Sequence, residues 1–267
     1  MESESYMLKV KLVAATVFMD DTSDYFEPYK KHGIVNDEGV FRPREDWVST
    51  ADELAELAGR LCYKSWSRPN PASASNPAYL ANIISQGHFS VLEHASATFW
   101  IQGVSRSLTH ELVRHRHLSF SQVSQRYVDE GTPELSLDGM VYHPDGVGDI
   151  FYEGAVQQAT RDARQTYNTL VSHLVSLGND RKTARGIARG LLPNAVETEL
   201  VVTGNHRTWR EVLGKRLSPT ADGEIRQLAQ VLLVELHDLA PNTYQDLWEE
   251  FSDDIPEALS VPYSQTT

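Results

Sequence analysis

The sequence predicts an α+β fold: a single domain with a small mixed or antiparallel sheet and flanking helices, one of them long and amphipathic. Three observations carry this. Apolar residues alternate with polar or amphipathic ones in the segments 7–17 and 95–101, the period of a half-buried strand, and 198–203 also reads as a strand. Elsewhere they recur at helical spacing between helix start and stop signals. Strands and helices follow one another without the regular βαβ alternation of a parallel sheet.

Taken in order, Leu8, Val10 and Leu12 alternate with Lys9 and Lys11, so residues 7–17 form a strand with one face buried. Residues 20–47 lack periodicity and read as loop. Thr50-Ala51-Asp52-Glu53 is a capping-box pattern, followed at helical spacing by Leu54, Leu57, Ala58 and Leu61. After a loop over 69–75, Asn76-Pro77 starts a helix with proline at its first position, and Gly87 stops it. Ala95, Ala97, Phe99 and Ile101 mark the second strand. A helix is expected from Ser105 to about Arg116, then a loop over 119–124 and a turn-rich, hairpin-like stretch over 131–147. The long helix covers 149–177, with Ala159, Ala163, Tyr167, Leu170, Val171 and Leu174 inward and Gly178 as its stop. Asp180 caps a short helix that reaches Leu191 and ends at Pro193. A strand over 198–203 and helices over 205–217 and 224–239 complete a domain spanning 1–255. Residues 256–267 are expected to be a loose tail.

The chain has 267 residues, with 24 Lys and Arg against 37 Asp and Glu and a formal charge of −13. That length buries a core without disulfide or metal staples. Its 40% hydrophobic and 23% charged content excludes bulk disorder, collagen and coiled coil. No apolar run approaches the roughly 20 residues that span a bilayer. The start Met1-Glu2-Ser3-Glu4, with Lys9 and Lys11 in the apolar stretch behind it, does not read as a signal peptide. A single cysteine, Cys62, forbids an internal disulfide and fits a reducing cytoplasm. Beside Leu61 it reads as a small core residue.

The charge is uneven. Residues 103–127 hold four arginines and one glutamate, and residues 179–216 hold eight basic and four acidic residues. Together the two segments carry +7, which leaves −20 on the rest. An acidic chain that gathers its arginines locally is building an anion site or two solvated helix faces; a nucleic-acid surface would make the whole domain basic.

Familiar signatures drop out. There is no glycine-rich phosphate loop or dinucleotide fingerprint. His110-Glu111-Leu112-Val113-Arg114 misses the zinc-protease helix, because Arg114 stands at the second histidine and a guanidinium cannot ligate zinc. The stretch from Arg114 to Tyr127 places three arginines and several hydroxyls at a helix-to-loop transition. Arginine forks take phosphate bidentately, hydroxyls fill the remaining oxygens, and Gln122 or Gln125 could read a base edge. A nucleic-acid-binding regulator, or a metal-dependent nucleotide hydrolase using His110, His115 and His117, draws on the same residues. Glu93 and His94 read as a satisfied buried pair, His88 as the better functional histidine. Trp47, Trp66, Trp100, Trp209 and Trp248 read as core.

Arg114-His115-Arg116, seven residues, Ser124 and then Gln125-Arg126-Tyr127 resembles the signature of the flavin-dependent thymidylate synthases, the thymidylate synthase complementing family. Gly87-His88-Phe89-Ser90-Val91-Leu92-Glu93-His94 is similar to that family's upstream segment. Ala188-Arg189, Leu192-Pro193, Thr203-Gly204-Asn205-His206-Arg207 and Arg216 match downstream. Five blocks in the family's order cover most of residues 50–240.

The resemblance implies transfer of the methylene of methylenetetrahydrofolate to C5 of dUMP and its reduction by a hydride from reduced FAD, with NADPH reloading the flavin. It implies a cytoplasmic homotetramer whose active sites combine several subunits, with no nucleic-acid or membrane partner and no resident metal. Matched positions assign FAD to Ser90, Arg114, His115, Arg116, Gln122, Asn205, His206 and Arg207, with His88 and Glu211 beside them. They assign dUMP to Glu111, Leu112, Val113, Arg114, Gln122, Val123, Ser124, Gln125, Arg126, Arg189 and Arg216, with Ser124 and Arg126 at its phosphate. Arg216 is the catalytic position: a fixed cation near O2 and N3 stabilises an ionised uracil, which makes C5 nucleophilic without a cysteine. Glu211 stands where relatives often carry Asn or His, and Thr220 where many carry His.

Overall fold

The computed structural model describes residues 8–17, 49–65, 73, 75–131 and 150–260. The loop expected over 20–47, Trp47, Trp66 and nearly all of the segments 69–75 and 131–147 lie outside these residues. Four strands, β1 (Lys9–Ala15), β2 (Ser96–Ser105), β3 (Ser119–Gln122) and β4 (Glu197–Asn205), form one small antiparallel sheet in the order β1-β2-β4-β3. Alternation governs β2: Ala97, Phe99 and Ile101 are fully buried, whereas Trp100 is exposed. Trp100 is therefore not core. Its indole Nε1 donates instead to Glu199 at 3.0 Å.

The chain divides into two compact units, one made of residues 1–11, 100–202 and 220–228, the other of 12–99, 203–219 and 229–267. Strands β1, β2 and β4 each run from one unit into the other.

In the first unit, Ser105 caps α3 (Arg106–Leu112) by accepting from the Leu108 amide at 3.0 Å. The helix ends four residues before the expected Arg116. Leu108 and Leu112 are buried, but the next helical partner would be the exposed Arg116. The chain turns instead, with the Leu118 amide donating to the His115 carbonyl at 3.1 Å, and this brings Leu118 inside. The expected loop over 119–124 is largely strand β3. Its Ser119 and Ser121 are exposed and its Phe120 and Gln122 half-buried, a period of two hidden by hydroxyls. Helix α4 (Ile150–Ser176) packs on α5 (Arg181–Ala188). Of its expected inward residues only Tyr167 is fully buried; Ala159 is exposed and Thr160 is buried in its stead. Asp180 caps α5 as expected, accepting from the Thr183 amide at 3.0 Å.

In the second unit lie α1 (Thr50–Tyr63), α2 (Asn76–Ser85), a 3₁₀ turn (Phe89–Glu93), α6 (His206–Arg216) and α8 (Gln245–Phe251). Helix α7 (Gly223–Leu239) begins in the first unit and ends in the second. The cap of α1 is Ser49, one residue before the expected Thr50, and its hydroxyl accepts from the Asp52 amide at 3.1 Å. A polar face of this helix is turned inward. Asp52 accepts from the Thr243 amide at 2.8 Å and the Asn242 amide at 3.0 Å. Asn76 donates to Glu56 at 2.8 Å, and Glu56 accepts from Arg60 at 2.6 Å. Leu61 and Cys62, expected inside, are exposed. The apolar core here comprises Ala55, Tyr79, Leu80, Ile83, Val91 and Leu92. Trp209 is fully buried, edge-on to Phe99 at 5.2 Å, with its Nε1 donating to the Ala97 carbonyl. Trp248 is half-buried and stacked on His237.

Helix α2 stops at Gly87, whose φ of 69° lies in the left-handed region that glycine enters without steric cost. The turn delivers His88 and Ser90 to the surface. Among the described residues no helix is long and apolar enough to cross a membrane.

Candidate active site

The residues singled out from the sequence fall into two groups, one in each unit. In the first unit, Glu111 and Leu112 close α3 and Val113 is its C-cap. Leu112 is fully buried, so it belongs to the core and is not on an open surface of the site. Arg114 and Arg116 are exposed on the turn, while His115 between them is buried. Gln122 ends β3 with its amide group fixed: Nε2 donates to Thr109 and to Thr198, both at 3.2 Å. Both amide hydrogens are thereby used, which leaves Oε1 as the group Gln122 offers.

The next turn holds Val123, Ser124, Gln125 and Arg126. Within it, the Tyr127 and Val128 amides donate to the Ser124 carbonyl at 3.1 and 3.0 Å. Gln125 is 7% exposed, and its buried Nε2 has no hydrogen-bond partner among the described residues. Arg126 is exposed. Arg189 is exposed on the 3₁₀ turn after α5 (Arg189–Leu191).

Several side chains the sequence reading passed over surround this turn. Arg106 Nη2 donates to the Val123 carbonyl at 2.8 Å. Arg185 donates to the Tyr127 carbonyl at 2.9 Å and to Asp129 at 2.7 Å. Glu130 is buried, and burial raises its carboxyl above the usual range while Arg106 opposes the shift. Lys182 lies over the Tyr127 ring, and its hydrogen bond and charge draw the phenol below its ordinary value. Arg185 was within reach of sequence reasoning, standing one helical turn before Arg189. Arg106 carried no such signal.

In the second unit His88 and Ser90 are exposed and line a pocket of about 310 Å³ with Cys62, Tyr63, Val91 and Arg207. Arg207 pairs with Glu93 across the open surface, so Glu93 and His94 are not a buried pair. Asn205 is the N-cap of α6, accepting from the Thr208 amide at 2.9 Å. His206 is inside the unit, not on the pocket: its Nδ1 shares a 2.8 Å hydrogen bond with the Tyr244 hydroxyl, and burial lowers it to about 4. Glu211 is exposed and pairs with Lys215 at 2.5 Å. Arg216 ends α6, half-buried. The described residues contain no group of three or more His, Cys, Asp or Glu placed to hold a metal ion.

This geometry offers a turn with an exposed guanidinium in one unit and a small, largely apolar pocket edged by His88, Ser90 and Arg207 in the other. The family model for the thymidylate synthase complementing protein matches residues 46–242. The chain belongs to that family. Among curated members, it is 47% identical over 229 residues to the flavin-dependent thymidylate synthase of Mycobacteroides abscessus, covering 82% of this chain and 90% of that one. It is 51% identical over 216 residues to the probable flavin-dependent thymidylate synthase of Mycobacterium phage L5, covering 80% and 83%. The Mycobacterium tuberculosis member is 44% identical over 255 residues, 91% of each chain. Two solved structures share the fold. Thymidylate synthase X of Helicobacter pylori, crystallised with FAD and dUMP, is 22% identical with a TM-score of 0.58, covering 91% of this chain and 98% of that one. The UMP/dUMP methylase PolB of Streptomyces cacaoi, bound with 5-Br UMP, is 20% identical with a TM-score of 0.60, covering 92% and 95%.

Proposed function

We propose that this family member is a flavin-dependent thymidylate synthase: it methylates dUMP to dTMP with methylenetetrahydrofolate as one-carbon donor, FAD as cofactor and NADPH as reductant. The observation that carries the reading is the 47% identity to an enzyme so named along 90% of that enzyme's length. The turn at Ser124–Arg126 supports it with an exposed guanidinium, a hydroxyl and a buried amide nitrogen that has no hydrogen-bond partner among the described residues.

The residues at the second-unit pocket fit part of FAD. Ser90 and Arg207 offer a hydroxyl and a cation, and the Arg207–Glu93 pair is exposed enough to be redirected at little cost. At about 310 Å³ the pocket is at the small end of ligand sites, which run to roughly 1,000 Å³, so it takes a portion of the dinucleotide. FAD, once bound and reduced by NADPH, would supply the hydride that completes the methyl group. In our reading Arg126 and Ser124 hold the dUMP phosphate and Arg189 adds a second cation. Gln122 presents its fixed carbonyl oxygen, and Arg114, His115 and Arg116 join the flavin contacts. Arg216 stabilises negative charge on the pyrimidine, so that C5 attacks without a thiol adduct at C6. The reading also includes one catalytic domain over 1–255, a homotetramer with shared active sites, and a cytoplasmic setting. The strands that run through both units support the first, and the lone cysteine supports the last.

The test is release of tritium from [5-³H]dUMP with formation of dTMP by purified protein given methylenetetrahydrofolate, NADPH and FAD. We expect turnover that requires all three. Turnover persisting without flavin, or dUMP hydrolysis that needs a metal ion, would overturn the reading.

A further inference from the structure

We infer that Arg106, through its bond to the Val123 carbonyl, is a positioning residue that sets the substrate turn Ser124–Arg126. The inference rests on the proposed function, since it takes that turn to be the dUMP site. The turn is held at both ends by guanidinium groups that donate to main-chain carbonyls: Arg106 to Val123 at 2.8 Å and Arg185 to Tyr127 at 2.9 Å. Between these anchors Gln125 Nε2 makes no hydrogen bond among the described residues, and Arg126 is exposed. In a planar trans peptide the carbonyl and the following N–H point opposite ways. Tying the Val123 carbonyl to Arg106 therefore turns the Ser124 N–H away from that guanidinium and fixes where the Ser124 hydroxyl starts. On its amino side the turn is anchored again, because the Val123 amide donates to the Glu199 carbonyl of β4 at 3.1 Å.

Arg106 is suited to hold rather than to bind. It is the first residue of α3, so its backbone is fixed by the Ser105 cap. Its Nε is buried and makes no hydrogen bond among the described residues. Two charges face it: the buried Glu130, which supports its protonated form, and the exposed Arg189, which opposes it. Burial, the largest influence, also works against its charge. An anion brought to Arg189 and Arg126 relieves the repulsion between Arg189 and Arg106. Substrate and clamp therefore reinforce each other.

The experiment compares wild type with Arg106→Ala and Arg106→Lys in dUMP titrations and steady-state kinetics, with FAD binding and NADPH-driven flavin reduction as parallel readouts. We expect Arg106→Ala to raise KM for dUMP at least tenfold, with kcat within threefold and flavin reduction unchanged. Arg106→Lys keeps the charge but not the fork, so KM should rise at least threefold. Should Arg106→Ala fail to fold, the Lys variant decides alone. An unchanged KM for dUMP in folded variants overturns the inference, as does an equal loss of FAD binding and flavin reduction. A wild-type protein that neither binds nor methylates dUMP overturns the proposed function, and the inference falls with it.

Discussion

Arg126 and Arg216 illustrate how two arginines of one chain differ by their settings. Arg126 projects from a turn into solvent, whereas Arg216 is half-buried at the end of a helix. In the proposed reaction the first holds phosphate and the second stabilises the ionised base. Arg126→Ala should weaken dUMP binding by about 1.5–3 kcal/mol, the worth of a charge-assisted hydrogen bond. Arg216→Lys should lower single-turnover methylation more than dUMP affinity and leave flavin reduction by NADPH nearly intact. Equal losses of affinity and rate would make Arg216 one more binding residue. Cys62 is a different case, since its thiol is exposed on the pocket beside His88 and Ser90. Cys62→Ala should change stability by less than about 0.5 kcal/mol and keep dUMP methylation. The native thiol should react with a disulfide reagent, and saturating FAD should slow that reaction. Protection by flavin is the arm that checks the pocket; a rate indifferent to FAD argues against it.

Helices and strands were legible in the sequence where their inner face is apolar; where it is polar, the element or its inner face was misread. The segment Ala97–Ile101 alternates and is strand; the run from Leu54 to Leu61 has helical spacing and is helix, but its inner face was misjudged. Asp52, Glu56 and Arg60 recur every four residues, which reads as a solvated stripe. Their partners, Asn76, Asn242 and Thr243, stand far away in the chain, so no local pattern announces that the stripe is inside. The same limit applies to α3, whose early end depends on Leu118 turning back to the core. Of the candidate site, the Arg114–Arg126 stretch was legible through its motif, but Arg106 and Glu130 acquire their roles only by folding. The packing of α1 on α2 gives a test at this scale. A Cβ at Gly59 would stand 2.2 Å from the Tyr79 hydroxyl, and that ring is buried beneath Arg60. Gly59→Ala should therefore cost about 1–3 kcal/mol by overpacking, read as a lower denaturation midpoint. Gly214→Ala, in α6 with nothing within 4 Å, should stabilise by about 0.4–1 kcal/mol and serves as the control.

At the scale of the molecule, the buried His206 ties stability to pH. Its folded value is about 4, against roughly 6.5 when unfolded, so the unfolded chain binds the extra proton in that window. Its contribution is present in full above about 6.5 and is lost as pH falls toward 4. Between pH 7 and 5 the loss is about 2 kcal/mol. Tyr244 stays protonated throughout, because burial lifts its phenol well above the ordinary value. His206→Gln should flatten the dependence of unfolding free energy on pH over this interval, even if it is less stable at pH 7. Parallel curves for wild type and variant would show that His206 does not carry the effect.

Neither compact unit is a continuous stretch of chain, and this reaches back to biosynthesis. Domains in general fold as units, N-terminal first, while the rest is still being translated. Here the unit that begins at residue 1 needs residues 220–228, and the one that begins at residue 12 needs residues 229–267. The nascent chain thus extends to residue 228 before the first unit possesses all its parts, and further still for the second. A chain truncated at residue 202 holds β1 to β3 and most of β4, with neither α6 nor α7. Ribosome-bound fragments of that length should be digested by protease at rates typical of unfolded chain, and resistance should arise late, in one step, after release.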